Sequence, residues 1–203
     1  MPQFDLLGMQ IAEYTKTATG ATRGEAISMG DAMNCRLELR IAEGRLYAEG
    51  GLAELLRETN GGTVSVGVKY IPKAAQQLLF GFAEKARALT FTGRDGTETT
   101  KSAVSLAASR GSTGKYVSFA CFAPDMIDKQ KKYTCFFVAC ALFSPPAYEL
   151  ETKGETIRFA TPTTTGEFLP DDSESGVIQE VYVADEEAEA RAWCKLVVEE
   201  DIA

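Results

Sequence analysis

Hydrophobic and polar residues alternate along two stretches in the first half of the chain. Every second residue is apolar between Met33 and Ile41, and the same period of two recurs from Val64 to Tyr70. This period is typical of a β-strand with one buried face and one solvated face. Turn-forming residues predict turns at Ala42–Gly44 and at Asn60–Gly62. A further short strand is predicted at Arg45–Glu49, so this part of the chain resembles an antiparallel meander.

The residues after this meander change to a helical period. Ala75, Leu78, Leu79 and Phe82 follow the spacing i, i+3, i+4 and i+7, which gives one apolar stripe on a helix. Pro72 precedes them, and proline suits the first turn of a helix because its missing N–H would be unbonded there. The segment 52–59 fits either a strand or a helix.

The remaining pattern favours strands. We expect a polar, Ser/Thr-rich excursion at about 93–114, a charged loop at Pro124–Lys132 and a final helix at about 185–198. Asp185 is the expected cap of that helix, with its apolar face formed by Ala188, Ala192, Leu196, Trp193 and Val197. Strands are expected at Leu6–Tyr14, Ala86–Thr92, Lys115–Ala123, Tyr133–Phe143 and Val177–Val183, with a hairpin over 147–161 and a polar edge strand at Thr163–Leu169.

These elements predict one mainly β domain spanning residues 1–203. Its architecture is expected to be an antiparallel β-sandwich or a partly closed barrel, with one flanking helix and a C-terminal helix. The strand Lys115–Ala123 is apolar on both faces, so we expect it to be covered on both sides.

The charge distribution argues against a nucleic-acid-binding chain. The formal net charge is −8, and the segment Asp185–Ala203 alone holds seven acidic and two basic residues. Lys129, Lys131 and Lys132 form a local basic cluster that predicts either a phosphate site or a solvated loop. We expect neither a signal peptide nor a membrane span, because no apolar run approaches roughly 18 residues.

Candidate chemistry is sparse. The chain has no histidine, which removes Ser-His-Asp and Cys-His catalysis and the usual zinc ligands. Gly111–Lys115 lacks the spacing of a phosphate loop and leads into a strand. Asp171, Ser173 and Ser175 match the first half of a calcium loop, but Tyr182 stands where its final Glu is required. We therefore predict no catalytic, cofactor-binding or metal-binding residues, and no enzyme.

The five cysteines do not suggest redox chemistry. Their number is odd, they form no C-x-x-C pair, and four of them lie within apolar strand-like runs. We expect Cys35, Cys121, Cys135 and Cys140 to be reduced and buried, and synthesis of the chain in a reducing cytoplasm.

The order of several motifs resembles that of the major tail protein of long-tailed, non-contractile bacteriophages. The similarity covers most of 26–196 and is absent around 93–114. Its motifs lie at Ala26–Ser28, Asn34–Leu39, Gly44–Glu54, Gly61–Val68, Phe143–Pro146, Thr161–Thr163 with Gly166, and Glu186–Trp193.

The resemblance implies a structural function. Members of that family assemble as six-membered rings that stack into a tail tube, through which the genome passes without specific binding. The resemblance also implies that the chain associates with itself and has the tape-measure and tail terminator proteins as partners. The expected location is the virion tail, assembled in the cytoplasm of the bacterial host. The alternative is a β-sandwich binding or adhesion module, for example for carbohydrate, which would expose aromatic side chains on its loops.

Two further expectations concern assembly. Pairing between subunits is predicted along Thr161–Thr165 or Thr63–Tyr70, because unpaired strand edges template other chains. The tube lumen is expected to be neutral to negative and lined by the polar face of the meander, which comprises Asn34, Arg36, Glu38, Arg40, Thr63, Ser65, Gly67 and Lys69.

Overall fold

The computed structural model describes residues 5–18, 20–48, 51–147 and 161–202. In chain order its elements are β1 (Leu7–Lys16), β2 (Ala21–Arg23), β3 (Ile27–Ser28), β4 (Ala32–Ala48), β5 (Gly51–Val68), α1 (Lys73–Phe80), β6 (Ala83–Thr92), β7 (Glu98–Ala107), β8 (Val117–Ile127), β9 (Gln130–Phe143), β10 (Thr163–Leu169), β11 (Gln179–Ala184) and α2 (Glu187–Glu199). The predicted hairpin over 147–161 lies almost entirely outside the described residues.

Most strands belong to one antiparallel sheet that does not close on itself. Its order is β2-β1-β8-β9-β10-β5-β4, with β11 also paired to β9 and β3 paired to β1. The strands β6 and β7 form a separate two-stranded sheet. This confirms the predicted class, a mainly β, antiparallel, sandwich-like fold with one flanking helix and a C-terminal helix.

The apolar side chains form a core on each side of the strand β8. Val117, Phe119 and Cys121 point into the larger core, together with valines of β5 and residues of α1. Ala120 and Phe122 point the other way, into a core shared with β9 and α2. Successive side chains of a strand point to opposite faces, so both faces of β8 are buried. This confirms the prediction made for Lys115–Ala123.

Helix α1 begins after Pro72 as predicted but ends at Phe80, before Phe82, the last residue of the predicted stripe. Pro72 is its N-cap residue, and Ala75 and Leu79 are buried in the larger core. Its C-cap residue is Gly81, which has a φ of 66° and donates its N–H to the carbonyl of Gln77. A Cβ at Gly81 would lie 2.2 Å from the carbonyl oxygen of Thr113, so both conformation and space require glycine there.

Of the predicted apolar face of helix α2, Val197 is buried and Trp193 is half-buried, but the main stripe is not. Ala190, Cys194, Val197 and Val198 are its buried residues, while the stripe Ala188, Ala192 and Leu196 faces solvent. Both stripes have i, i+4 spacing, and the one with valines and cysteine offers the larger apolar surface to bury. Asp185 is not the cap; its N–H instead donates to the carboxylate of Glu189, 2.9 Å away.

The meander is longer and simpler than predicted. Strands β4 and β5 run through both predicted turns as one hairpin, and the ambiguous segment 52–59 is strand. The register shifts between Leu39 and Ile41, opposite Gly61, which has a φ of 122°. The glycine therefore accommodates a β-bulge rather than a turn, because a bulge also needs a residue that tolerates positive φ.

Two segments predicted as loops are largely strand. The segment 93–114 contains β7, which pairs along its whole length with β6. The predicted loop Pro124–Lys132 is reduced to a tight turn at Asp128 and Lys129, both with positive φ. Asp125 is buried within β8 and accepts a hydrogen bond from Thr134 of β9.

Candidate functional site

Two hairpins extend away from the cores with most of their surface exposed. The first, which we call the arm, is the distal part of the β4–β5 hairpin, residues 39–48 and 51–60. Every side chain described there is exposed, and Ile41 and Leu56 each retain 59% of their accessible surface. A two-stranded ribbon is at best marginally stable alone in water, and a large exposed apolar surface marks a candidate interaction site.

Apolar residues occupy both faces of the arm. The register places Ile41 and Leu55 on one face, and Leu46 and Leu56 on the other. Large exposed apolar side chains on both faces of a ribbon are typical of a segment that is enclosed in an assembly.

Strand β4 also supplies one open edge of the main sheet. It stands at the end of the strand order, and within the described part of the chain β5 is its only sheet neighbour. An edge of this length carries a row of unpaired N–H and C=O groups that can accept another strand.

The strands predicted to pair between subunits are already paired. Thr163–Thr165 of β10 pair with β5 on one side, and on the other Thr163 bridges Ala147 and the N–H of Ser144 donates to the carbonyl of Thr165. Thr63–Val68 of β5 lies between β10 and β4. The prediction that either stretch is an edge is therefore wrong. A Thr-rich sequence resembles an exposed edge, but here alternate residues such as Thr164 and Phe168 are buried.

The polar residues of β4, β5 and β10 form one continuous face. Arg36 lies beside Ser65 and Thr165, and Glu38 lies beside Thr63 and Glu167. This face forms one side of a groove of about 730 Å³, whose other side includes Phe80 of α1 and the loop 112–114. The groove is open and contains no cluster of titratable groups suited to acid–base chemistry.

Ion pairs within the chain neutralise the two arginines of this polar face. Arg36 pairs with Glu38 on the same strand, and Arg40 lies 3.4 Å from the carboxylate of Glu167 on β10. Two bases are thus matched by two acids. The sequence alone shows an excess of bases on β4 and β5, because Glu167 belongs to a strand whose position in the sheet only the fold reveals.

The calcium-like loop has its carboxylate engaged within the protein. One oxygen of Asp171 accepts hydrogen bonds from the N–H groups of Ser173 and Val177 and from the hydroxyl of Ser173. Its other oxygen lies 3.7 Å from the guanidinium of Arg23. Among the described residues, no group of three or more Cys, Asp and Glu side chains could hold a metal ion.

The predicted basic cluster is dispersed by the β8–β9 turn. Lys129 lies in the turn, Lys131 lies over the ring of Tyr133, and Lys132 forms an ion pair with Asp185 at 2.7 Å. These separate partners leave no common anion site.

The cysteines are free thiols, and their positions are those of packing residues. Cys121, Cys135, Cys140 and Cys194 are buried, and Cys35 is half-buried, which is less than predicted. Burial raises the pKa of Cys140 to about 11, while a hydrogen bond with Cys121 lowers the pKa of Cys35. With no histidine in the chain, neither thiol has an imidazole base.

Trp193 packs within the protein rather than at a ligand surface. Its ring stacks on Tyr182 of β11, with centroids 5.3 Å apart and ring planes inclined by 18°.

A comparison with models of known protein families finds no match, and neither does a search of curated proteins. No helix in the described ranges is sufficiently long and apolar to cross a membrane.

Proposed function

We propose that this protein is a structural subunit of a phage tail tube, which assembles into stacked rings and forms a conduit for DNA. The arm is the observation that carries the proposal: a ribbon exposed on all sides with Ile41, Leu46, Leu55 and Leu56 uncovered. The motif order that resembles major tail proteins supports it independently. In this proposal the rings are six-membered, and the tape-measure and tail terminator proteins are further partners.

The free edge of β4 is the proposed contact within a ring. In a head-to-tail contact, one surface of each copy binds a different surface of the next copy. Such contacts form a ring when the rotation between successive copies adds up to a full turn. Addition of a neighbour's strand to β4 would satisfy the backbone groups that the edge leaves unpaired. The arm, which continues the same two strands, would then contact a further copy.

The polar face of β4, β5 and β10 is the proposed lumen wall. Its ion pairs, Arg36 with Glu38 and Arg40 with Glu167, leave it with no net charge among these four side chains. Each unpaired Lys or Arg that neutralised a phosphate would add affinity for DNA and slow its passage. A wall with its arginines already paired suits a conduit. Lys69, the remaining base of the predicted lining, lies just beyond the C-terminal end of β5.

The test of this function is substitution of the exposed apolar residues of the arm. The double variant Ile41→Glu/Leu56→Glu should keep the fold of the monomer, because both side chains are exposed, and should lose self-assembly. The conservative pair Ile41→Val/Leu56→Met should assemble as the parent chain does. Tubes of the Glu variant at normal yield would exclude the arm from assembly.

The adhesion-module alternative requires exposed aromatic side chains on loops. Tyr70 and Tyr116 meet that requirement, with 57% and 43% of their surface accessible outside the strands, but they are single residues of two different loops. Trp193 is half-buried against Tyr182, so the arm remains the stronger observation.

A further inference from the structure

The second projecting hairpin, β6–β7, separates its charges between its two faces. Cross-strand pairing places Lys85 opposite Ser105, Arg87 opposite Ala103, and Leu89 opposite Lys101. These residues share one face with Phe91 and Thr99, so that face carries three cations and no acid. The opposite face carries Glu84 and Glu98 among alanines, threonines and Val104. We call the first the basic face of the hairpin.

The basic face has no acidic partner among the residues that the structure describes. Lys85 and Arg87 form no ion pair with any described residue, and Lys101 contacts the ring of Phe91 at 5.3 Å. Leu89 and Phe91 retain 45% and 41% of their accessible surface. A ribbon with three unmatched cations around two exposed apolar side chains is suited to a surface that is both acidic and apolar.

The outer surface of helix α2 has those two properties. Its solvent-facing stripe consists of Ala188, Ala192 and Leu196, and Leu196 retains 61% of its accessible surface. Arg191 and Lys195 lie beside this stripe. The acids lie mainly towards the two ends of the helix, with Asp185, Glu186, Glu187 and Glu189 at one end and Glu199, Glu200 and Asp201 at the other, so the segment 185–203 has a net charge of −5. The helix is roughly 20 Å long at 1.5 Å per residue, and each hairpin strand is about 33 Å long, so the ribbon can cover the stripe.

We infer that the basic face of the β6–β7 hairpin docks on the outer face of α2 of a second copy of this chain. Leu89 and Phe91 cover the stripe, and the three cations meet the acidic residues towards the ends of the helix. This inference rests on the proposed self-assembly and adds a second, electrostatic contact to the one made by the arm. Because the two surfaces differ, the contact is head-to-tail and can be repeated from copy to copy.

A nucleic-acid partner is the competing occupant, since cations interleaved with an aromatic side chain also bind single strands. The charge of the whole molecule favours the second copy. At −8 the chain repels a polyanion, whereas it presents acidic surface to another copy's cations.

Charge reversal tests the docking directly. Arg87→Glu/Lys101→Glu, which changes the charge of the basic face from +3 to −1, should abolish assembly. Glu186→Lys/Glu187→Lys/Glu200→Lys, which changes the charge of the segment 185–203 from −5 to +1, should do the same, while circular dichroism shows each chain folded. An equimolar mixture of the two variants should assemble again, because each hairpin then meets a helix of opposite charge. Ala86→Glu/Ser102→Glu, which adds acids to the opposite face of the hairpin, should assemble normally.

The outcomes separate the two proposals. If the parent chain fails to assemble, the proposed function fails and the docking with it. If the parent assembles and the Arg87→Glu/Lys101→Glu variant assembles equally well, or if mixing restores nothing, the docking alone is wrong. Binding of a fluorescent single-stranded DNA that is lost on Arg87→Glu/Lys101→Glu would assign the basic face to nucleic acid and overturn it too.

Discussion

The guanidinium of Arg23 lies 3.7 Å from the carboxylate of Asp171, and the two side chains are only 5% and 4% exposed. Arg23 also donates to the carbonyls of Val197 and Glu200 at the end of α2, and its guanidinium lies 5.0 Å from the ring centre of Phe137. Burial lowers the pKa of Arg23, and Asp171 acts in the opposite direction. This pair therefore joins β2, the loop after β10 and the C-terminal end of the chain.

Loss of the acid from this pair should destabilise the monomer strongly. Asp171→Ala leaves a buried cation without its partner, which typically costs about 3–5 kcal/mol of the free energy of unfolding. Urea unfolding of the monomer measures it. Glu38→Ala, which removes the partner of the exposed Arg36, is the matched control and should cost less than about 1 kcal/mol. Equal losses in the two variants would contradict the structural role given to Arg23.

The bulge at Gly61 should not tolerate a side chain. With a φ of 122° and a virtual Cβ 2.4 Å from the carbonyl oxygen of Phe168, Gly61→Ala combines backbone strain with a clash against β10. We expect a loss of at least about 1–3 kcal/mol, which thermal unfolding would detect. Gly44→Ala, where the nearest atom is 3.9 Å away, should change stability little. A Gly61→Ala variant with the same stability as the parent chain would show that the bulge is absent.

Proteolysis should distinguish free from assembled subunits. Arg57 on the arm and Arg87 on the β6–β7 hairpin are exposed on ribbons without a core of their own, so trypsin should cleave the monomer there first. In tubes both sites should be protected, because neighbouring copies cover them. Lys195, held in α2, is the internal reference for slow cleavage. The same cleavage pattern in monomer and tube would mean that neither hairpin takes part in assembly.

The proposed lumen wall should not retain DNA. Assembled tubes should show no saturable binding of duplex DNA in fluorescence anisotropy at physiological salt. Glu38→Lys/Glu167→Lys frees Arg36 and Arg40 and adds two cations, so it should create binding that weakens steeply as salt rises. Strong binding by the parent tubes would contradict the assignment of this face to a conduit.

The sequence predicts the buried part of the fold better than its exposed part. The period of two locates β4 and the second half of β5, continuous apolar runs locate β8 and β9, and the helical stripe locates α1, because burial requires an apolar residue at each inward position. Local pattern does not reveal that the arm extends beyond the core, since alternation looks the same whether the apolar face meets its own chain or another. It also misplaces β10, whose position in the sheet depends on pairing with distant strands.

The candidate surfaces depend on relationships that are not local in sequence. Polar residues at 93–114 favour a loop, and only the pairing of β6 with β7 sorts Lys85, Arg87 and Lys101 onto one face. The pairing of Arg40 with Glu167 likewise joins residues far apart in the chain. The sequence shows which segments carry charged residues. It does not show which of those residues lie on the same face of the folded protein.

Electron microscopy of the purified parent chain tests the central claim most directly. Negatively stained samples over a range of protein concentrations, with size-exclusion chromatography alongside, should show rings that stack into hollow tubes. The account predicts tubes of uniform diameter that the Ile41→Glu/Leu56→Glu variant fails to form. A parent chain that remains monomeric at every concentration, above all one that binds glycans, would contradict it.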